Sequence, residues 1–325
     1  MKAIVCTRFG GPELLEVGEV DQPVAGPGQV LVDVKACSVN FPDLLMIQDL
    51  YQFKPKPPFV PGSEVSGVVM SVGEGVDRFQ VGDRVLGSSL FIGGLAEIAA
   101  LSADTTVALP DDVDYADAAG LLYAYGTSHH ALKDRADLQP GQSLLVLGAA
   151  GAVGLAAVEI GALMGARVIA AASSDEKLDL CRRYGATETV NYSTQDLKTV
   201  VRDLTGGDGA DVVYDPVGGP YSEPALRATA WDGKFLVVGF AAGDIPKIPL
   251  NLALLRGCSI VGVFWGSFVM REPERHRANV TEMVGWWSEG RLRPHTSASY
   301  PLDQAAQAFR DMAERRAMGK VVVTL

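Results

Sequence analysis

The stretch from Leu144 to Gly154 reads LLVLGAAGAVG, and it sets the fold class of this chain. Four apolar residues predict a short buried strand, and three glycines at Gly148, Gly151 and Gly154 lead from it into an apolar run that predicts a helix. In such a turn the glycines permit a tight bend, let the backbone approach a pyrophosphate and allow the helix to pack closely on the strand. The stretch therefore predicts a dinucleotide-binding site; a turn that only packs tightly is the alternative. The residues expected at the phosphates are Ala150, Gly151, Ala152 and Val153.

Outward from this turn, strand-like and helix-like segments alternate, which predicts a parallel, doubly wound sheet. Gly, Asp or Pro residues bound each predicted strand. The six strands expected in this sheet are Ser143 to Leu147, Arg167 to Ala172, Thr187 to Asn191, Val212 to Asp215, Lys234 to Gly239 and Ser259 to Phe264.

The part of the chain before residue 118 has a different pattern. Short β-branched segments separated by Gly and Pro predict a small antiparallel sheet or barrel. A chain of 325 residues is long for one hydrophobic core, so two domains are expected. We place them at residues 1–118 and 119–266, with residues 267–325, which end in a strand from Lys320 to Leu325, completing the first.

Composition excludes several classes of protein. A net charge of -11 argues against a nucleic-acid partner, which needs a basic face. The four cysteines form no CxxC pair, so neither a disulfide framework nor a closed zinc site is indicated, and a reducing, cytoplasmic setting is expected. The apolar run from Leu144 to Ala166 is long enough to imitate a membrane span, but its glycines divide it into a strand and a helix, so no membrane partner is expected.

The second strand of the sheet indicates which dinucleotide binds. An NAD enzyme places an acidic residue at this strand's end for the ribose 2'-hydroxyl, whereas here the strand ends in Ser173 and Ser174. The absence of a carboxylate permits a 2'-phosphate, and Lys177 offers a positive charge one helical turn later. The alternative is that the serines only cap the next helix and that Lys177 is a solvated surface residue. Asp175 and Glu176 weaken the prediction of NADPH, although acids are common in the first turn of a helix.

Several motifs resemble those of the medium-chain dehydrogenase/reductases. The resemblance extends over nearly the whole chain and implies a GroES-like β-barrel catalytic domain followed by a Rossmann domain. The segments that carry it are Ala36 to Asp43, Tyr51 to Glu64, Val72-Gly73, Val81 to Val85, Tyr125 to Thr127, Ala149 to Gly151, Val212 to Gly219 and Gly319 to Val322.

Within this family, the alcohol dehydrogenases hold a catalytic zinc with a Cys and a Gly-His-Glu motif. The matching positions here carry Asn40 and Gly62-Ser63-Glu64, so two ligands are missing, and a catalytic zinc needs three. Cys37 lies away from the ligand position. We therefore predict no metal, and we expect His129 and His130 to be packing or surface residues.

The zinc-free pattern is similar to that of the zeta-crystallin-like NADPH:quinone reductases. This resemblance implies that Ser174, Lys177 and Tyr192 meet the cofactor 2'-phosphate, although Tyr192 alone also reads as a residue in a turn. Ala152 departs from the glycine that is usual in the phosphate turn. The residues that the resemblance implies around the nicotinamide and phosphates are Asn40, Thr127, Gly239, Phe240, Ala241, Phe264, Trp265, Gly266 and Arg316.

The expected function is the reduction of quinones or related α,β-unsaturated carbonyls by NADPH. Reduction builds negative charge on an oxygen, which a preorganised donor stabilises, and Asn40 and Tyr51 are the candidate catalytic residues. Asn40 also reads as a helix N-cap, and Tyr51 as a packing residue. The rival functions are an enoyl-thioester reductase, for which Lys54 and Lys56 are weak basic candidates, and a non-enzymatic NADPH-binding protein.

The oligomeric state is predicted from one strand. The segment from Ser259 to Phe264 is β-branched and aromatic, and an uncovered edge strand of this kind favours pairing with a second subunit. A homodimer is expected.

Overall fold

A computed structural model describes residues 1–89 and 91–325 of the chain. These residues divide into two compact units. The first unit consists of Met1–Tyr123 and Gly266–Leu325, and the second of Ala124–Trp265. The predicted domain boundaries at residues 118 and 267 stay predictions, because compactness does not show that either segment folds as an independent domain.

The second unit is built on a six-stranded sheet in which every pairing is parallel. Its strand order is β10-β9-β8-β11-β12-β13, which reverses direction between β8 and β11. In open α/β sheets, ligands bind beyond the carboxyl ends of the strands at such a reversal. The strands are β8 Ser143–Leu147, β9 Arg167–Ala172, β10 Glu188–Asn191, β11 Ala210–Asp215, β12 Thr229–Val237 and β13 Ser259–Gly262.

All five residues of β8 are buried, which explains why the four residues after Ser143 form a continuous apolar run rather than an alternating one. The predicted strand from Ser259 to Phe264 is shorter in the structure: it ends at Gly262, and a helix begins at Trp265. The helices along residues 122–256 are α3 Thr127–His129, flanked by π-helical Leu122–Gly126 and His130–Arg135, then α4 Ala152–Leu163, α5 Asp175–Arg183, α6 Leu197–Leu204, 3-10 Gly219–Tyr221, α7 Ser222–Arg227 and α8 Asn251–Arg256.

The first unit, for which the resemblance implies a GroES-like β-barrel, is built on a mixed sheet with the order β14-β15-β3-β4-β5-β7. β6 also pairs with β3, and β1 pairs with β2 in a separate ribbon. β15, at the C-terminal end of the chain, lies antiparallel to β3 in this sheet. The strands are β1 Lys2–Cys6, β2 Leu15–Glu19, β3 Gln29–Val39, β4 Glu64–Val72, β5 Arg84–Ser88, β6 Ile98–Ser102, β7 Val107–Ala108, β14 Thr296–Pro301 and β15 Lys320–Thr324.

Short helices connect these strands. α1 matters most for the site, because it follows β3 directly and begins after Asn40. The remaining helices are 3-10 Pro12–Leu14, α1 Phe41–Ile47, α2 Tyr115–Ala118, α9 Trp265–Arg271, α10 Pro273–Ser288, 3-10 Leu302–Gln304 and α11 Ala305–Ala313. Within residues 1–89 and 91–325, no helix has the length and apolar character needed to cross a membrane.

Candidate functional site

The turn between β8 and α4 has the geometry that the three glycines predict. Gly148 has a φ of +56°, a conformation that favours glycine. A Cβ atom on Gly154 would lie 2.3 Å from the carbonyl oxygen of Gly148, so no side chain fits there. Gly151 caps α4 without a side-chain hydrogen bond and is exposed, so the first turn of the helix is open at its N-terminus. Such a turn is a ready site for an anion.

The residues expected at a 2'-phosphate lie together at the ends of β9 and β10. The Lys177 Nζ atom donates to the Ser173 Oγ atom at 3.3 Å, and the Ser174 Oγ atom accepts from the Lys177 backbone N–H at 3.4 Å. The capping alternative therefore holds for Ser174, which is the N-cap residue of α5. Asp175 accepts an N–H from the Asn191 side chain at 2.9 Å, so the nearest acid already has a partner.

Tyr192 follows β10 directly, and its backbone N–H donates to the Ala172 carbonyl at 3.1 Å. Its ring packs against Tyr221, with 4.4 Å between ring centroids. Tyr192 is therefore held at the end of β10, the strand next to β9, and part of its ring surface is used in packing. Its contact with a cofactor stays a prediction.

Two further groups of predicted residues lie in the second unit. Gly239, Phe240 and Ala241 follow β12, and the Ala241 N–H donates to the Pro216 carbonyl at 3.1 Å, which places this loop beside the end of β11. Trp265 is buried against Gly126, where a Cβ atom would lie 2.9 Å from the indole Nε1 atom. Thr127 directly follows Gly126 in the chain. The side chain of Phe264 is 59% exposed, unlike that of the neighbouring Trp265.

The first unit contains a buried polar cluster around Asn40. The Lys320 Nζ atom donates to the Asn40 Oδ1 atom and, at 2.9 Å, to the Glu64 Oε2 atom. The same Glu64 oxygen accepts from the Ser38 hydroxyl and, at 3.3 Å, from the Asn40 Nδ2 atom. The Glu64 Oε1 atom accepts the Tyr123 backbone N–H at 3.1 Å. Burial of a Lys–Glu pair requires hydrogen bonds of this completeness, because each charge is costly to remove from water.

Asp43 lies at the edge of this cluster and is fully buried. Its Oδ2 atom accepts the Asn40 backbone N–H at 2.7 Å, while no partner for its Oδ1 atom occurs in the described residues. Burial raises the pKa of the Asp43 carboxyl to about 7; hydrogen bonds from the backbone and the Lys320 charge oppose this shift, and Glu64 adds to it. Asp43 is thus a carboxyl group that changes charge near neutral pH.

Tyr51 is partly buried, and it lies close enough to Asp43 to respond to its charge. Burial raises the pKa of the Tyr51 hydroxyl, and the Asp43 carboxylate adds to this shift. The Tyr51 hydroxyl therefore keeps its proton at neutral pH and is available as a donor. Its role in catalysis stays a prediction.

Sequence reasoning identified Asn40 but assigned no role to Lys320, Ser38 or Asp43, and it treated Glu64 only as part of a motif. A signal for Lys320 and Glu64 was present. Lys320 begins a strand whose next three residues are buried valines, the three residues after Glu64 are buried as well, and charged residues are rarely fully buried unless they are paired.

Arg316 was expected near the cofactor phosphates. Its guanidinium group donates to the Asp311 Oδ1 atom at 2.6 Å and also pairs with Glu314, and its side chain is 50% exposed. A phosphate contact, which stays a prediction, requires Arg316 to exchange these partners. Gly266 is the first residue of the chain's return to the first unit and provides no side chain.

The positions that match the zinc ligands of the alcohol dehydrogenases carry Asn40, Ser63 and Glu64, and the absence of zinc stays a prediction. Ser63 is buried beside Glu64, and Lys320 already neutralises the Glu64 carboxylate. In the part of the chain that the structure describes, no group of three or more His, Cys, Asp or Glu residues has the arrangement of a metal site. His129 and His130 are both buried, and the His130 Nδ1 atom lies 2.8 Å from the Asp134 Oδ2 atom.

Comparison with known proteins identifies the family. The chain matches the alcohol dehydrogenase GroES-like domain over residues 26–111 and the zinc-binding dehydrogenase domain over residues 152–284. It is 41% identical to the quinone oxidoreductase-like protein 2 homolog of Nematostella vectensis, across 99% of this chain and 88% of that protein.

Solved structures agree with this match. A quinone oxidoreductase from Pseudomonas syringae is 31% identical, with a TM-score of 0.93 over 100% of this chain and 99% of that one. A mycobacterial protein solved in complex with NADPH is 32% identical, with a TM-score of 0.93 over the whole of both chains. The chain belongs to the quinone oxidoreductase family of the medium-chain dehydrogenase/reductases.

Proposed function

We propose that this oxidoreductase uses NADPH to reduce quinones or related α,β-unsaturated carbonyls by direct hydride transfer, without zinc. The observation that carries the proposal is the buried amide of Asn40, which is held by Lys320 and Glu64 at the position where zinc-dependent relatives place a cysteine ligand. Where those relatives have a metal ligand, this chain thus has a neutral hydrogen-bond donor.

The residues of the second unit fit a dinucleotide with a 2'-phosphate. Gly151 is exposed and has no side chain at the N-terminus of α4, so the backbone there can approach the phosphates. Ser173 and Lys177 supply a hydroxyl and a positive charge at the end of β9, where an NAD enzyme places a carboxylate. The NADPH-bound mycobacterial relative supports the same choice of cofactor. When bound, the nicotinamide supplies the hydride.

Asn40 is the residue that we assign to the acceptor oxygen. Reduction of a carbonyl group builds negative charge on that oxygen, and a fixed N–H donor in a site with little water stabilises the charge without reorganising. Asn40 is 6% exposed, and Lys320 and Glu64 restrain its amide group. Tyr51, which keeps its proton at neutral pH, is the second donor.

A homodimer is part of the proposal. β13 lies at the edge of the parallel sheet, and an unpaired edge strand favours pairing with another chain. The second unit also exposes seven large apolar side chains, and exposed apolar surface of this kind favours an interface. We call these residues the apolar patch: Trp231, Ile245, Leu250, Leu254, Leu255, Ile260 and Phe264.

We also propose a reducing, cytoplasmic location. All four cysteines are free thiols, and Cys6, Cys37 and Cys181 are buried away from one another. Proteins of oxidising compartments commonly use their cysteines in disulfides.

The test measures the oxidation of NADPH and of NADH, monitored as the loss of their absorbance. Small quinones, activated enones and enoyl thioesters serve as the acceptors, and a chelator is present. Quinone-dependent oxidation of NADPH that survives chelation is the expected result. Preference for enoyl thioesters would establish the rival reductase, which Lys54 supports weakly because Asp49 already pairs with it. Tight NADPH binding without turnover on any acceptor would establish a non-enzymatic protein.

A further inference from the structure

The hydrogen bonds of Asn40 fix which way its amide group faces. The Oδ1 atom accepts from the Lys320 ammonium, a group that can only donate. The Nδ2 atom donates toward Ser38 Oγ at 3.0 Å and Glu64 Oε2 at 3.3 Å. A rotation of the amide by 180° would place its NH2 group against the ammonium, so Lys320 excludes that orientation.

One N–H bond of Asn40 serves both acceptors. Ser38 Oγ and Glu64 Oε2 are hydrogen-bonded to each other, so both lie in one direction from Nδ2. The two N–H bonds of a planar amide diverge, and the second one has no acceptor among residues 1–89 and 91–325. This second N–H is the donor that the proposed function requires.

We propose that Lys320 is a positioning residue for the reaction: its ammonium group locks the Asn40 amide so that an N–H, and not the carbonyl oxygen, faces the substrate. The inference rests on the proposed function, and it adds a residue that acts through Asn40 without touching the substrate. Glu64 has the complementary part, because it neutralises the buried ammonium and accepts the first Asn40 N–H.

The central test removes Lys320 and its counter-charge together. Lys320→Met alone leaves the Glu64 carboxylate buried without its cation and can fail to fold, so the working variant is the double substitution Glu64→Gln with Lys320→Met. This protein retains a nearly matched volume and lacks both charges of the Lys320–Glu64 pair. We expect kcat with a quinone to fall about tenfold or more, because an oxyanion donor that is no longer held loses much of its effect. The Kd for NADPH and the melting temperature are expected to stay near those of the parent protein.

A merely structural role for Lys320 predicts the opposite result. If its only task were to balance Glu64, the double variant would keep kcat within about twofold of the parent, and that result would overturn the proposal. The same double substitution is also made on an Asn40→Ala background. There we expect no further loss of kcat, because Lys320 acts through a side chain that is already absent. A further tenfold loss would also contradict the proposal.

A readout without turnover separates this inference from the proposed function. The side-chain amide of Asn40 gives a pair of proton signals in a nitrogen-15 correlation spectrum, assigned by their loss in Asn40→Ala. We expect two well-separated, sharp signals in the parent protein and shifted, broadened signals in the double variant, since the amide is then free to turn. Unchanged signals would overturn the positioning role even in a protein that reduces quinones. A parent protein without turnover but with the expected spectra would refute only the proposed function.

Discussion

Lys320 and Glu64 form a buried ion pair, with 2.9 Å between the Nζ and Oε2 atoms, although 256 positions separate them in the chain. Lys320 begins β15 and Glu64 begins β4, and both strands lie beside β3, which ends just before Asn40. The central position of β3 in this sheet therefore brings the amide and its two charged partners together.

Breaking this pair should cost stability. Lys320→Met leaves the Glu64 carboxylate buried without its cation, and we expect the free energy of unfolding to fall by about 3 to 5 kcal/mol. Urea denaturation measures the loss. The matched control is Lys35→Met, which removes a pair with Asp33 at 2.6 Å whose side chains are about 40% exposed; there the expected loss is below about 1 kcal/mol. Equal losses in the two variants would show that burial does not govern the Lys320 pair.

Asp43 should make stability depend on pH. Its pKa is raised from 3.8 to about 7 in the folded protein, so the folded state holds a proton that the unfolded state releases. The contribution of Asp43 to the free energy of unfolding is therefore fully present below pH 4. It declines as the pH rises to 7, by about 1.4 kcal/mol per pH unit at most. We expect Asp43→Asn to remove about 2 kcal/mol or more of the decline between pH 5 and pH 8. Parallel denaturation profiles for the two proteins would contradict the assignment.

The phosphate turn and the polar cluster differ in how far sequence could predict them. Gly148 and Gly154 act within one βαβ unit, so their spacing was sufficient to predict both the turn and its place in the sheet. The Lys320 contacts depend on a pairing between β15 and β3 that no local pattern specifies. Asn40 was found from its position in a motif, but the orientation of its amide is set by residues distant in the chain.

The turn itself can be tested with a single methyl group. Gly154→Ala places a Cβ atom 2.3 Å from the Gly148 carbonyl oxygen, and this backbone atom cannot move away without distorting the turn. We therefore expect NADPH affinity to fall by about tenfold or more. Fluorescence titration measures the affinity. Gly285→Ala is the matched control, since Gly285 lies within α10 and has no atom near the added Cβ. It should raise stability by about 0.5 to 1 kcal/mol without a change in affinity.

Lys177 should determine the preference between the two cofactors. Lys177→Met removes the positive charge beside Ser173, and we expect the Kd for NADPH to rise about tenfold or more while the Kd for NADH changes less than about twofold. Competitive titration at constant ionic strength measures both constants. Lys198→Met, on the neighbouring helix α6, is the control and should leave both unchanged. An equal loss for the two cofactors would show that Lys177 supports the fold of this segment rather than a 2'-phosphate.

The apolar patch predicts the effect of one charge on assembly. Leu254 is 79% exposed on α8, and Leu254→Asp should convert the homodimer into a monomer at micromolar concentration, because a buried unpaired charge at an interface costs several kcal/mol. Sedimentation velocity measures the mass. Val24→Asp is the control, since Val24 is 85% exposed in the first unit and outside the patch, and this variant should sediment like the parent. A parent protein that is already monomeric would refute the dimer, and a Leu254→Asp variant that stays dimeric would move the interface away from this patch.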